Sequence, residues 1–135
     1  RGDLAGDFRA ILDQQRHEPT PSHKVFKLFS NLLGQQRIET KASHNFIRHI
    51  SAVSRDGKTL WVFLLNKNGT MQAFDTTVDI TGFNASKAEA VSLTSRDLSS
   101  NCAEIREIAV NQKSNTGKWQ TNLPPYSLTM LTFHR

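Results

Sequence analysis

Gly34 divides the chain into two hydrophobic periods. Before it, apolar residues recur every three to four positions; after it, they alternate. Leu4, Phe8, Ile11 and Leu12 fall on one stripe and predict a helix over 3–15, with Asp3 as its cap. The segment His17-Glu18-Pro19-Thr20-Pro21 interrupts it, because neither proline fits a helix interior. A second helix is predicted from about Ser22 to Leu33. Val25, Leu28, Phe29 and Leu32 form its apolar face, Phe26 and Leu33 widen that face, and Lys24, Lys27, Ser30 and Asn31 take the wet side. Gly34 stands where a left-handed residue ends a helix.

Beyond Gly34 the alternation predicts strands over 37–42, 46–53, 60–65, 73–80, 87–94, 103–110 and 128–133, separated by Gly, Asn, Asp and Ser turns. The 73–80 stretch sets Phe74, Thr76, Val78 and Ile80 against Asp75, Thr77 and Asp79. The 103–110 stretch also fits a helical period through Ile105, Ile108 and Ala109, and is read as strand. The 111–118 segment reads as a loop leading to Trp119. Short, regularly spaced strands imply a mainly β fold, an antiparallel sandwich of jelly-roll or Greek-key type, preceded by one or two N-terminal helices. The division is a helical segment over 1–34 and a sandwich over 35–135.

Two strands break the alternation. In Leu60-Trp61-Val62-Phe63-Leu64-Leu65 both faces are apolar, and the last strand is apolar through Leu128 and Met130 and through Leu131 and Phe133. A strand with no wet face must be covered on both sides. One cover is the partner sheet; the other must be a helix, a further domain or another chain.

Composition narrows the function. The 135 residues, 37% of them hydrophobic, suit one domain with a core of its own. The net charge of +5 comes from seventeen Lys and Arg, no two adjacent, which argues against a nucleic-acid surface. No apolar run approaches the ~20 residues of a membrane span, and no signal-peptide core opens the chain, so secretion and a cytoplasmic location both stay open. The lone Cys102 excludes an internal disulfide. Arg1-Gly2-Asp3 matches an integrin-binding tripeptide, but its Asp reads as a helix cap.

The reactive side chains form no constellation. Asp75 and Asp79 lie on a solvated strand face and Glu104 and Glu107 near a strand start, while His17, His23, His44, His49 and His134 lack metal-ligand spacing. No metal and no cofactor are expected. The candidates for stacking on a sugar are Trp119 and Tyr126, both beside loops. Asn68 and Asn84 open Asn-x-Ser/Thr sequons in turns, acceptors for a glycan if the source is eukaryotic and the protein secreted.

Three landmarks, Leu60-Trp61-Val62-Phe63-Leu64-Leu65-Asn66-Lys67-Asn68, Val78-Asp79-Ile80-Thr81-Gly82-Phe83 and Leu123-Pro124-Pro125-Tyr126-Ser127-Leu128-Thr129-Met130-Leu131-Thr132-Phe133, occur in this order after a helix that ends in Gly34. Together they resemble the C-terminal part of α-L-arabinofuranosidases and related TIM-barrel glycoside hydrolases such as β-xylosidases, over about residues 19–133. The resemblance implies a sandwich packed against a catalytic barrel, with the 22–33 helix as the last barrel helix or the connector leaving it. It also implies that one face of the doubly apolar strands, assigned to Leu60, Val62 and Leu64, lies on that barrel. A TIM barrel needs about 250 residues, and its catalytic carboxylates sit on the barrel rim. No position here matches the motifs that carry them, so no catalytic residue is assigned.

Two functional expectations follow. One is a non-catalytic accessory sandwich of a glycoside hydrolase acting on arabinose- or xylose-containing glycans, whose partner is the catalytic barrel of the same protein. The other is a self-sufficient carbohydrate-binding or protein-interaction module, with a polysaccharide or a protein as its partner. The first predicts a large bare apolar face; the second predicts that face covered.

Overall fold

The computed structural model describes residues 19–68, 70, 72–95, 103–113 and 117–135. The expected 3–15 helix, the Arg1-Gly2-Asp3 tripeptide and Cys102 lie outside them.

Thr20 opens the helix α1 (Pro21–Phe29): its hydroxyl accepts from the His23 N–H at 3.5 Å, and Pro21 takes the first turn, where a missing N–H costs nothing. The helix tightens into a 3-10 turn over Ser30–Leu32, and Gly34 then turns the chain with φ 72°. The strands are β1 (Gln36–Ile38), β2 (Ile47–Val53), β3 (Thr59–Asn66), β4 (Phe74–Asp79), β5 (Lys87–Thr94), β6 (Glu104–Glu107), β7 (Val110–Gln112), β8 (Lys118–Leu123) and β9 (Ser127–His134). They form a six-stranded sheet, β1-β2-β3-β9-β5-β6, and a three-stranded sheet, β4-β8-β7, with every pairing antiparallel.

Strand alternation divides β3 and β9 between two cores. Leu60 pairs with Phe133 and Val62 with Leu131, and these four meet Trp119, Leu123 and Ile80 between the sheets. The opposite parity, Phe63 and Leu128 with Leu93 beside them on β5, meets Leu28 and Ala103 under the helix. The described residues therefore form three layers: helix, large sheet, small sheet.

This layering corrects two expectations. Leu60, Val62 and Leu64 are 3%, 5% and 6% exposed inside the sandwich, so they are not an outward, barrel-facing row. The outward face belongs to Trp61, Phe63 and Leu65, and its centre is not bare: α1 covers Phe63 to 1% exposure. Exposed large apolar side chains are Phe26 (65%) and Leu33 (77%) on the helical segment, Phe46 in the loop before β2, and Leu65 and Ile105 at the flanks.

Two strand assignments also change. The 103–110 stretch is two strands in different sheets: β6 pairs with β5, and β7 pairs with β8. The crossing is at Ile108, whose N–H donates to the Ala90 carbonyl at 3.0 Å. The segment around Trp119 is strand β8, with Trp119, Thr121 and Leu123 turned inward.

Candidate functional site: the open side of the sandwich

A concavity lies between the sheets, where loop 39–46 faces β4, with a cavity volume of about 820 Å³. Its floor is the inward side of β2 and β3, through His49, Ser51, Val62 and Leu64; its walls are the loop and β4. The loop is held at both ends. The His49 ring places Nε2 2.9 Å from the Thr40 carbonyl, and His44 packs between Phe46 and Phe74, with ring centroids at 5.4 and 4.8 Å.

The floor carries unmet polar groups. A carbonyl can only accept, so Nε2 of His49 carries the proton, and in the uncharged ring Nδ1 is left as an acceptor. That Nδ1 is buried without a partner, as is the Oγ of Ser51, a residue with no exposure at all. An orphaned buried polar atom costs roughly 1–3 kcal/mol, so these two are a local cost beneath the cleft.

Asp75 and Asp79, beside the cleft, do not make an acid/base pair with one another. Asp75 accepts from the Asn122 amide at 2.7 Å, and Asp79 stands 4.0 Å from the Lys118 ammonium. Four residues of strand separate the two by about 13 Å, beyond the 5–9.5 Å range of glycosidase carboxylates. The Asp79 carboxyl titrates below its usual value, chiefly because the Thr81 hydroxyl donates to it and then through the Thr81 N–H. Among the described residues no group of three His, Cys, Asp or Glu side chains could hold a metal ion, and no helix is long and apolar enough to cross a membrane.

The other sequence candidates are scattered. Trp119 is 6% exposed, its ring edge-on to Phe133 at 5.6 Å, so it has no face free for a sugar; strand alternation with Thr121 and Leu123 turns it inward. Tyr126 is half-buried in the turn before β9, with φ 47°. Asn68 is also unsuited to a glycan. It is 4% exposed, and its side-chain carbonyl accepts from the Thr70 N–H at 3.2 Å and the Thr70 hydroxyl at 2.9 Å. Asn84 is exposed. Sequence reasoning missed the cleft, because His49 and Ser51 read as ordinary strand positions.

No protein-family model matches this sequence, and no curated protein matches it. Solved structures do. The chain is similar to a glycoside hydrolase family 30 subfamily 8 xylanase from Clostridium acetobutylicum: TM-score 0.75 at 14% identity, over 98% of this chain and 32% of that one. A family 30 endoxylanase from Clostridium papyrosolvens gives 0.67 at 17% identity, over 92% and 30%. A family 51 α-L-arabinofuranosidase from Thermotoga petrophila gives 0.66 at 19% identity, over 84% and 29%. The chain thus spans about a third or less of the length of these enzymes, and what it shares with them is the fold of that part.

Proposed function

We propose that this chain is the non-catalytic C-terminal sandwich of a glycoside hydrolase acting on arabinose- or xylose-containing glycans, docked on a catalytic barrel encoded outside residues 1–135. The observation that carries this reading is the superposition of nearly the whole chain on one part of larger xylanases and arabinofuranosidases. The scattered carboxylates support a non-catalytic role. The contact surface is the outer side of the helical segment, Phe26 and Leu33, where large apolar side chains stand in water. In this reading residues 1–34 lead from the barrel and 35–135 form the sandwich.

The test is the complete polypeptide. It should hydrolyse arabinoxylan or an aryl arabinofuranoside, and a Phe26→Asp/Leu33→Asp variant should lower the temperature at which that activity is lost. Hydrolysis by residues 1–135 alone would overturn the reading.

One observation favours the alternative of a self-sufficient module: α1 already covers the centre of the outward face of β3, at Phe63. That module would bind xylo-oligosaccharides saturably and lose binding on Tyr126→Ala. Trp119→Ala is not a fair probe, because it opens the core.

A further inference from the structure

Arg48 on β2 stands opposite Leu65 on β3, and the pair shares the outward face of the large sheet. The ladder runs one rung further: Ile47 pairs with Asn66, and the Lys67 N–H donates to the Phe46 carbonyl at 3.0 Å, so Phe46 stands opposite Lys67. Strand alternation brings these two to the same face as Arg48 and Leu65. The four side chains form a block about 4.8 Å across the strands and about 7 Å along them, apolar on one diagonal and cationic on the other. All four are exposed, Phe46 by 49% and Leu65 by 40%, because α1 covers Phe63 and Leu128 and leaves this corner open. His44 packs against the Phe46 ring at 5.4 Å, and its Nδ1 accepts from the Phe46 N–H at 3.3 Å, which fixes the ring's position. Among the described residues neither Arg48 nor Lys67 has an ion-pair partner, and no Asp or Glu stands on β2, β3 or β9.

We propose that this block binds an acidic polysaccharide, one whose sugar rings carry carboxylates. An aromatic ring open to water offers its face to the apolar face of a pyranose. The carboxylate of a hexuronate lies at the ring's edge, so a sugar resting on Phe46 directs it sideways, to the Lys67 ammonium or to the Arg48 guanidinium, whose fork can hold both oxygens. Charge decides among ligand classes here. A neutral glycan would make no use of two unpaired cations, and a nucleic acid would need a larger basic surface. An acidic peptide meets the cations but brings no sugar ring to Phe46, and it is the competitor that the test includes. The site involves neither Trp119 and Tyr126 nor the barrel contact at Phe26 and Leu33. It adds an anchoring role to the accessory one and does not depend on it.

The experiment titrates hexagalacturonate into the complete polypeptide by calorimetry. Xylohexaose serves as sugar without charge, and hexaglutamate as charge without sugar. Saturable binding of hexagalacturonate is expected, at least about tenfold tighter than that of either control. An Arg48→Gln/Lys67→Gln variant should weaken it by at least about tenfold, and added salt should weaken the unmodified protein more than that variant. Phe46→Leu keeps the bulk against His44 and loses the ring; it should weaken binding while the thermal midpoint stays in place. No binding, binding unchanged in the Arg48→Gln/Lys67→Gln variant, or hexaglutamate bound as tightly as hexagalacturonate would each overturn the proposal.

Discussion

Phe29 lies flat on Phe63, with ring centroids 4.7 Å apart and planes 13° from parallel. The contact fastens the helix layer to the large sheet, and it explains how a strand apolar on both faces is covered within one chain. Phe29→Ala should cost about 3 kcal/mol, of which about 1 is the stacking itself, while Phe29→Leu should cost about 1.5 or less. Urea unfolding checks this: the midpoint should fall for both variants, further for Ala, with the slope unchanged. An unmoved midpoint for Phe29→Ala would mean that the helix contributes nothing to the sheet's stability.

Thr121 holds the place where the chain changes sheets. It is 6% exposed, and its hydroxyl donates to the Ala109 carbonyl at 2.8 Å, between β6 and β7. Thr121→Val keeps the shape and removes the donor, which should cost about 1 kcal/mol. The loss should appear in amide exchange of 108–112 before that of β3, since β3 takes no part in the crossing.

How much of this was legible in the sequence follows from the range of each interaction. β3 stood out because six successive apolar residues have one stable place, a buried central strand. Its two-sided burial was legible; which parity faced which layer was not, because Leu60 and Trp61 look alike until the partner strands are known. β8 was hidden because its middle inward residue is Thr121, polar in sequence and satisfied only by a carbonyl twelve residues away. The 103–110 ambiguity came from a change of sheet at Ile108, which breaks any single period. The cleft could not be read at all, since it pairs β2 with a strand edge more than twenty residues further on.

Gly57 has φ 70° in the turn before β3, and a Cβ built there would meet nothing nearer than the Arg135 guanidinium at 3.8 Å. Space is therefore not the issue; the left-handed backbone is. Gly57→Ala should destabilise by about 1–2 kcal/mol, and Gly57→Asn by less, because asparagine tolerates that conformation. Thermal unfolding of the two variants decides it: equal losses would mean that crowding, and not φ, governs the position.

The same turn sets a pH dependence. The Asp56 carboxyl is held below its usual 3.8, first by the Ser54 hydroxyl at 2.6 Å and then by the Lys58 N–H at 3.0 Å. A depressed folded-state value means that the carboxylate's contribution is complete above pH 3.8, where the unfolded chain is also ionised, and is lost as pH falls through the lowered value. Asp79 behaves alike but through different partners, the Thr81 hydroxyl and N–H. Ser54→Ala should therefore raise the Asp56 titration towards 3.8 and leave Asp79 unmoved, while Thr81→Val should do the reverse. Carboxyl chemical shifts followed from pH 6 to pH 2 separate the two. If Ser54→Ala moved both carboxyls together, a general field would be setting them, and local hydroxyl donation would not.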